Sequence, residues 1–171
     1  LDDFLKCPIV WPKNYKNLGQ GKVRKPHKPR PHQKAAIKSV VKKLGDRGQL
    51  IMACGTGKTL TGQRITEELN AKSTLVLLPS LLLLSKTLSD WLSEQVKEFE
   101  CLAVCSDQSV GTPAEDQVSL SNSALKIIPT TDPKSIAEFL GKKGDKVIFS
   151  TYQSSPRIAK AFKRKKLKPF D

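Results

Sequence analysis

The sequence predicts an α/β domain, with a mostly parallel sheet and helices on both of its faces. Two observations carry this: short apolar runs alternate with amphipathic stretches along most of the chain, and a glycine-rich loop joins one such run to the helix after it. The chain is also long enough, at 171 residues and 38% hydrophobic, to bury one core without a disulfide framework.

Residues 1–29 carry Pro8, Pro12, Pro26 and Pro29, which would interrupt any helix, so they read as an extended basic arm. From Pro31 to Leu44, Ala36, Ile37, Val40, Val41 and Leu44 recur at helical spacing, and Lys34, Lys38, Lys42 and Lys43 take the opposite face. Proline at position 31 suits a first helical turn. Gln49 to Cys54 is a short apolar run closed by Gly55 and predicts a buried strand; Lys58 to Leu69 then predicts a helix with Leu60, Ile65 and Leu69 inward. The pattern repeats with a strand over Thr74–Leu78 and a long helix whose inner face is Leu81, Leu84, Leu88, Leu92, Val96 and Phe99. Leu102–Cys105 reads as the next strand.

Between Ser106 and Thr131 the chain is rich in Ser, Thr, Asp, Gln and Pro and holds one apolar run, Leu125–Ile128, so a long loop is expected. Asp132 and Pro133 then form an N-cap and first-turn pair ahead of Ile136, Ala137 and Leu140, with Gly141 and Gly144 closing the helix. Lys146–Ser150 is a strand and Pro156–Lys166 a helix. The final residues, Pro169-Phe170-Asp171, fall where another strand is due.

The balance of 30 Lys and Arg against 16 Asp and Glu gives a net charge of +14, which favours a polyanionic partner, nucleic acid first. The excess clusters at Lys22–Arg30 and Lys160–Lys168. Cys7, Cys54, Cys101 and Cys105 show no CxxC spacing and only His27 and His32 accompany them, so isolated thiols are expected rather than a zinc site. No apolar stretch approaches the roughly 20 residues that cross a bilayer, and the first residues lack the cationic and apolar regions of a secretory signal. A cytoplasmic chain without membrane contact is therefore the expectation.

The chemistry lies in Met52-Ala53-Cys54-Gly55-Thr56-Gly57-Lys58-Thr59. Between a strand and a helix, Gly55 and Gly57 let the backbone curl so that successive N–H groups and the helix N-terminus surround an anion. Lys58 adds a mobile positive charge for the outer phosphates of a nucleoside triphosphate, and the Thr59 hydroxyl is placed to join a Mg²⁺ shell. The general phosphate-loop pattern asks for glycine at position 52, where this chain has methionine. Cys54 reads as a small, tolerated side chain.

These residues in order resemble the first RecA-like domain of a superfamily 2 helicase or DNA translocase, nearest to the DEAD/DEAH-like motors of restriction enzymes. Arg30-Pro31-His32-Gln33-Lys34-Ala35-Ala36-Ile37 resembles the family's glutamine motif, which implies that Gln33 reads the adenine edge, with Arg30 beside it. Met52–Thr59 resembles its Walker A element, in which a methionine opening is familiar; the resemblance implies ATP contacts from Cys54 through Leu60. Leu77-Leu78-Pro79-Ser80 resembles the first nucleic-acid motif and Ile148-Phe149-Ser150-Thr151-Tyr152-Gln153 a later one, implying contacts from Pro79, Ser80, Ser150, Thr151 and Tyr152. Val104–Asp107 and Thr130–Pro133 look like structural connections. The resemblance implies an arm over residues 1–29 and a RecA-like ATP-binding domain over 30–171. It implies DNA as partner, with RNA possible, and a second RecA-like domain in the parent chain. The acidic motif of the Asp-Glu-x-His type does not occur in these residues, so a domain truncated before that motif, with little hydrolysis of its own, is expected.

Two other classes share parts of the pattern. A small-molecule P-loop kinase would use the same glycine loop, though such enzymes usually begin near it and have no need of so basic a chain. A non-catalytic nucleic-acid-binding module would account for the charge and leave the glycine loop unexplained.

Overall fold

A computed structural model of the protein describes residues 25–43, 47–105, 129–164 and 167–171. The expectations for most of the arm, for Leu44, for the loop with Leu125–Ile128 and for Lys165 and Lys166 lie outside these residues. In chain order the elements are α1 (Pro31–Lys43), α2 (Lys58–Glu68), β1 (Ser73–Leu78), α3 (Leu81–Glu94), β2 (Glu100–Val104), α4 (Pro133–Leu140), β3 (Lys146–Thr151) and α5 (Ser155–Arg164).

The three strands form one parallel sheet in the order β1-β3-β2. As the central strand, β3 is covered on both faces, and its side chains alternate between two cores. Val147 and Phe149 join Leu84, Leu88 and Trp91 of α3 on one face; Ile148 joins Ile136, Ala137 and Phe139 of α4 and Ile158 and Ala161 of α5 on the other. Trp91 lies edge-on to Phe149, with ring centroids 5.4 Å apart, and to Phe99 at 6.4 Å. Helices on both faces of a parallel sheet are the architecture the alternating pattern predicts.

Two helix starts follow from their capping residues. The Ser80 hydroxyl accepts from Leu83 N at 3.3 Å to open α3. The Asp132 carboxylate accepts from Lys134 N at 3.2 Å and Ser135 N at 3.0 Å to open α4, with Pro133 in the first turn.

Two expectations are corrected. Gln49–Cys54 is not a strand: Leu50 is 41% and Ile51 84% exposed, and no sheet pairing involves the segment. A strand is stabilised by ladder bonds to a neighbour. The outer edge of β1 instead meets the chain's last residue, whose N–H donates to Ser73 O at 3.0 Å and whose carboxylate accepts from Lys72 N at 2.6 Å and Ser73 N at 2.8 Å. The long helix ends at Glu94, because Gln95 is extended at φ −62°, ψ 135°. Val96 is 65% exposed as a result, while Phe99 reaches the core from the connecting segment. There Val96 N donates to Glu67 Oε1 at 2.9 Å and Lys97 Nζ to Glu67 O at 2.9 Å, so the segment secures the C-terminal end of α2.

The Asp132 cap predicts a pH-dependent stability. Its carboxyl is held below the ordinary value, first by the Ser135 N–H and then by the Lys134 N–H. A lowered folded-state pKa contributes stability that is complete above the unfolded value, about 3.9, and is lost as pH falls through the folded value. Urea titrations should therefore show Asp132→Ala less stable than wild type at pH 7, with the difference shrinking at strongly acidic pH. Equal stability at pH 7 would contradict the cap.

Candidate functional site

The glycine loop is shaped by two residues with positive φ. Gly55 stands at φ 74°, and Gly57 at φ 80°, ψ 43° immediately before α2, a conformation that costs an L-residue roughly 1–2 kcal/mol. Within the loop, Thr56 Oγ1 donates to Ala53 O at 2.7 Å. The first intrahelical bond of α2 runs from Thr61 N to Gly57 O at 3.0 Å, and the Thr61 hydroxyl donates to the same carbonyl at 3.0 Å. No side chain caps α2. The N–H groups of Lys58, Thr59 and Leu60 therefore lie ahead of the helix's own bonding, at the positive end of its dipole. An anion fits that chemistry.

Lys58 is exposed, and its Nζ donates to Ala53 O at 3.0 Å and Met52 O at 3.4 Å, within the loop it would leave to meet a phosphate. Thr59 and Leu60 are half-buried, whereas Cys54 and Gly55 are exposed. The Cys101 thiol, by contrast, is pushed up to about 11 by burial and by the neighbouring Glu100 carboxylate. Among the described residues no group of three or more His, Cys, Asp or Glu side chains is placed to hold a metal ion.

Gln33, on the first turn of α1, is 3% exposed and engaged at both ends of its amide. Its Nε2 donates to Thr56 O at 3.0 Å and Gly57 O at 3.4 Å, and its Oε1 accepts from Arg30 N at 2.8 Å. The glutamine that resemblance assigns to adenine thus holds the phosphate loop to α1, and Arg30 contributes its backbone N–H. His32, which the sequence reading passed over, lies with Nε2 3.2 Å from Thr56 O. Its signal was its place beside Gln33.

The two segments that resemble nucleic-acid motifs come together. Leu78 pairs with Thr151, and Tyr152 N donates to Leu78 O at 3.1 Å, so Pro79-Ser80 and Thr151-Tyr152 leave adjacent strand ends. Their side chains differ in access. Ser150 is buried with its hydroxyl on Thr151 O at 3.0 Å, and Thr151 is buried with its hydroxyl on Ser154 Oγ at 3.1 Å. Pro79 and Ser80 are exposed, and Tyr152 is 58% exposed. The outward groups on this rim are Pro79, Ser80 and Tyr152.

A charged cluster behind α2 carries no sequence motif. Buried Arg64 pairs with Glu67 at 2.7 Å, donates to His27 O at 3.1 Å and lies 4.0 Å from Glu94, while His27 N donates to Glu94 at 2.6 Å. Gln63 Nε2 also donates to Trp91 O at 2.7 Å. Together these contacts fix the end of the basic arm, α2 and α3 to one another.

The loop geometry gives a direct expectation. An added Cβ at Gly57 would lie 2.3 Å from Gln33 Nε2, whereas one at Gly55 meets nothing within 4 Å. In thermal melts, Gly55→Ala should cost about 1–2 kcal/mol and Gly57→Ala more. Adding Gln33→Ala to Gly57→Ala should remove the excess, so that the double variant is less than additive. Full additivity would show that the two residues do not touch.

Known proteins resemble this chain in sequence and fold. Residues 26–170 match the family model "Type III restriction enzyme, res subunit". Among solved structures, a nuclease-deletion mutant of the type ISP restriction-modification enzyme LlaGI in complex with a DNA substrate mimic is 35% identical with a TM-score of 0.66; the match covers 81% of this chain and 14% of that one. The ATP-dependent type ISP restriction-modification enzyme LlaBIII bound to DNA is 34% identical, again with a TM-score of 0.66, over 86% of this chain and 10% of that one. No curated protein matches the chain. The superfamily 2, RecA-like resemblance is borne out in fold and kinship. With α1, the glycine loop and the whole sheet inside the matched span, the chain belongs to the family of the type III restriction enzyme res subunit.

Proposed function

We propose that the chain is the ATP-binding domain of an ATP-dependent DNA translocase or helicase of restriction type, and that it binds Mg-ATP on the loop from Cys54 to Leu60. The observation that carries this reading is the uncapped start of α2 at a left-handed Gly57, with Lys58 beside it. The matches to one type ISP restriction-modification enzyme in complex with a DNA substrate mimic and to an ATP-dependent one bound to DNA support it. The kinase and pure binding-module readings leave that kinship unused.

In this reading the N–H groups of Lys58, Thr59 and Leu60 take the phosphates. Lys58 exchanges two neutral carbonyls for an anion, which strengthens its hydrogen bonds. Thr59 would hold Mg²⁺, which when bound supplies charge neutralisation on the outer phosphates. Adenine recognition by Gln33 requires its amide to leave Thr56 O and Gly57 O, so base recognition and release of the loop are one event. The family's motor cycle also needs an acidic pair and a facing second RecA-like domain. No Asp-Glu pair occurs in these 171 residues, and we infer that the chain alone hydrolyses little ATP. The exposed rim of Pro79, Ser80 and Tyr152 is the surface for the DNA strand, with backbone and ring contacts that do not read sequence.

Calorimetric titration tests the nucleotide half. Lys58→Ala should weaken Mg-ATP binding about 10- to 100-fold, as expected for lost charge-assisted bonds, with an unchanged melting temperature in the absence of nucleotide. Gln33→Ala should erase any preference for ATP over GTP. Undiminished ATP binding by Lys58→Ala would refute the site.

A further inference from the structure

The function above uses the phosphate loop and the strand-end rim but leaves the outer face of α1 without a role. Residues 25–43 hold seven basic side chains, Lys25, Lys28, Arg30, Lys34, Lys38, Lys42 and Lys43, and no acidic one. All seven are exposed. None forms an ion pair among the described residues, where the pairs present are made by His27, Arg64, Lys72 and Lys142. The inner side of the helix holds buried Gln33 and Ile37, with Ala36, Val40 and Val41 half-buried.

Lys34, Lys38 and Lys42 follow one another about one turn apart, so they form a slanting row that rises about 6 Å from each to the next and about 12 Å from end to end. With no acidic residue within 25–43 and no ion pair to these lysines among the described residues, their mutual repulsion is left to counterions there. An ordinary solvated helix face is laced with both signs. A one-signed row, fixed on a helix that Gln33 locks to the phosphate loop, is complementary to a regular line of phosphates. A duplex presents such a line stiffly, with a phosphate every 3.4 Å or so along each strand, whereas a single strand must first be ordered.

We propose that the Lys34-Lys38-Lys42 row of α1 is a second DNA contact, which grips the backbone of duplex DNA independently of sequence and apart from the rim of Pro79, Ser80 and Tyr152. The inference rests on DNA being the partner. Because Gln33 joins this helix to the carbonyls of Thr56 and Gly57, the contact reaches the nucleotide loop through one side chain.

The test is binding of the full chain to a short duplex of arbitrary sequence across a salt series. The variants are Lys34→Gln/Lys38→Gln/Lys42→Gln, the same positions changed to Arg, and a control with equal charge loss, Lys134→Gln/Lys142→Gln/Lys143→Gln. Each released phosphate contact lowers the slope of log K against log salt by about 0.9, so the α1 glutamine variant should lose close to 3 in slope. Over a fourfold rise in salt, wild-type affinity should then fall about 40-fold further than that of the variant. The arginine variant should bind as wild type does, and the control should lose less than half as much slope. Mg-ATP binding equal to wild type confirms that the glutamine variant is folded. An α1 glutamine variant with the wild-type slope, a control that loses as much, or a loss confined to single-stranded DNA would overturn the proposal while leaving the reading of the domain as a DNA motor intact. Absence of duplex and single-strand binding by wild type would remove that reading as well.

Discussion

The phosphate loop is held in place chiefly by the Gln33 amide. Residues 49–53 gain no sheet pairing, so the loop is not suspended from a strand. It is fixed from the other side: Gln33 spans from Arg30 N to the carbonyls of Thr56 and Gly57. Truncating that side chain would remove these bonds, each worth about 0.5–1.5 kcal/mol, while Thr56 O would keep His32 and Gly57 O would keep Thr61. The same contact explains why Gly57 has neither the φ nor the space for a side chain. A single buried amide thus ties α1 and its lysines to the glycine loop at the entry to α2.

Behind α2 the arrangement is carried by polar contacts of low visibility. Gln63 ties it to the Trp91 carbonyl, and Trp91 in turn stacks edge-on against Phe149 of the central strand. Burial of β3 on both faces therefore reaches the phosphate loop in two steps. Because β3 also pairs with β1 to its last residue, the same strand brings Tyr152 beside Leu78 and forms the exposed rim. Nucleotide loop and rim are joined through one packed layer.

What the sequence disclosed depended on how local the cause was. The cap at Asp132, the proline at the start of α1 and the glycine loop act within four residues, and each was readable. The strand over Lys146–Ser150 was also plain, although Phe139 was missed because Ile136, Ala137 and Leu140 already completed a helical stripe. The run Gln49–Cys54 misled because hydrophobicity reports burial potential, whereas a strand needs a neighbouring edge that lies far off in sequence. Val96 misled for a related reason: its helical phase continues, but Gln95 turns extended so that Val96 and Lys97 can secure the end of α2. Gln33 was expected to read adenine, yet its amide faces the loop, through main-chain partners that have no residue signature. The Arg64, Glu67, Glu94 and His27 cluster joins residues up to 67 positions apart and left no periodic trace.

The central claim is that the N–H groups at the start of α2 receive a triphosphate. Native-state hydrogen exchange on the full chain, read amide by amide with and without Mg-ATP, tests it most directly. The account predicts marked slowing at Gly57, Lys58, Thr59 and Leu60, with smaller changes at Gln33 and little at the β2 edge. Unchanged exchange at those four amides under saturating nucleotide, or protection centred elsewhere, would contradict it.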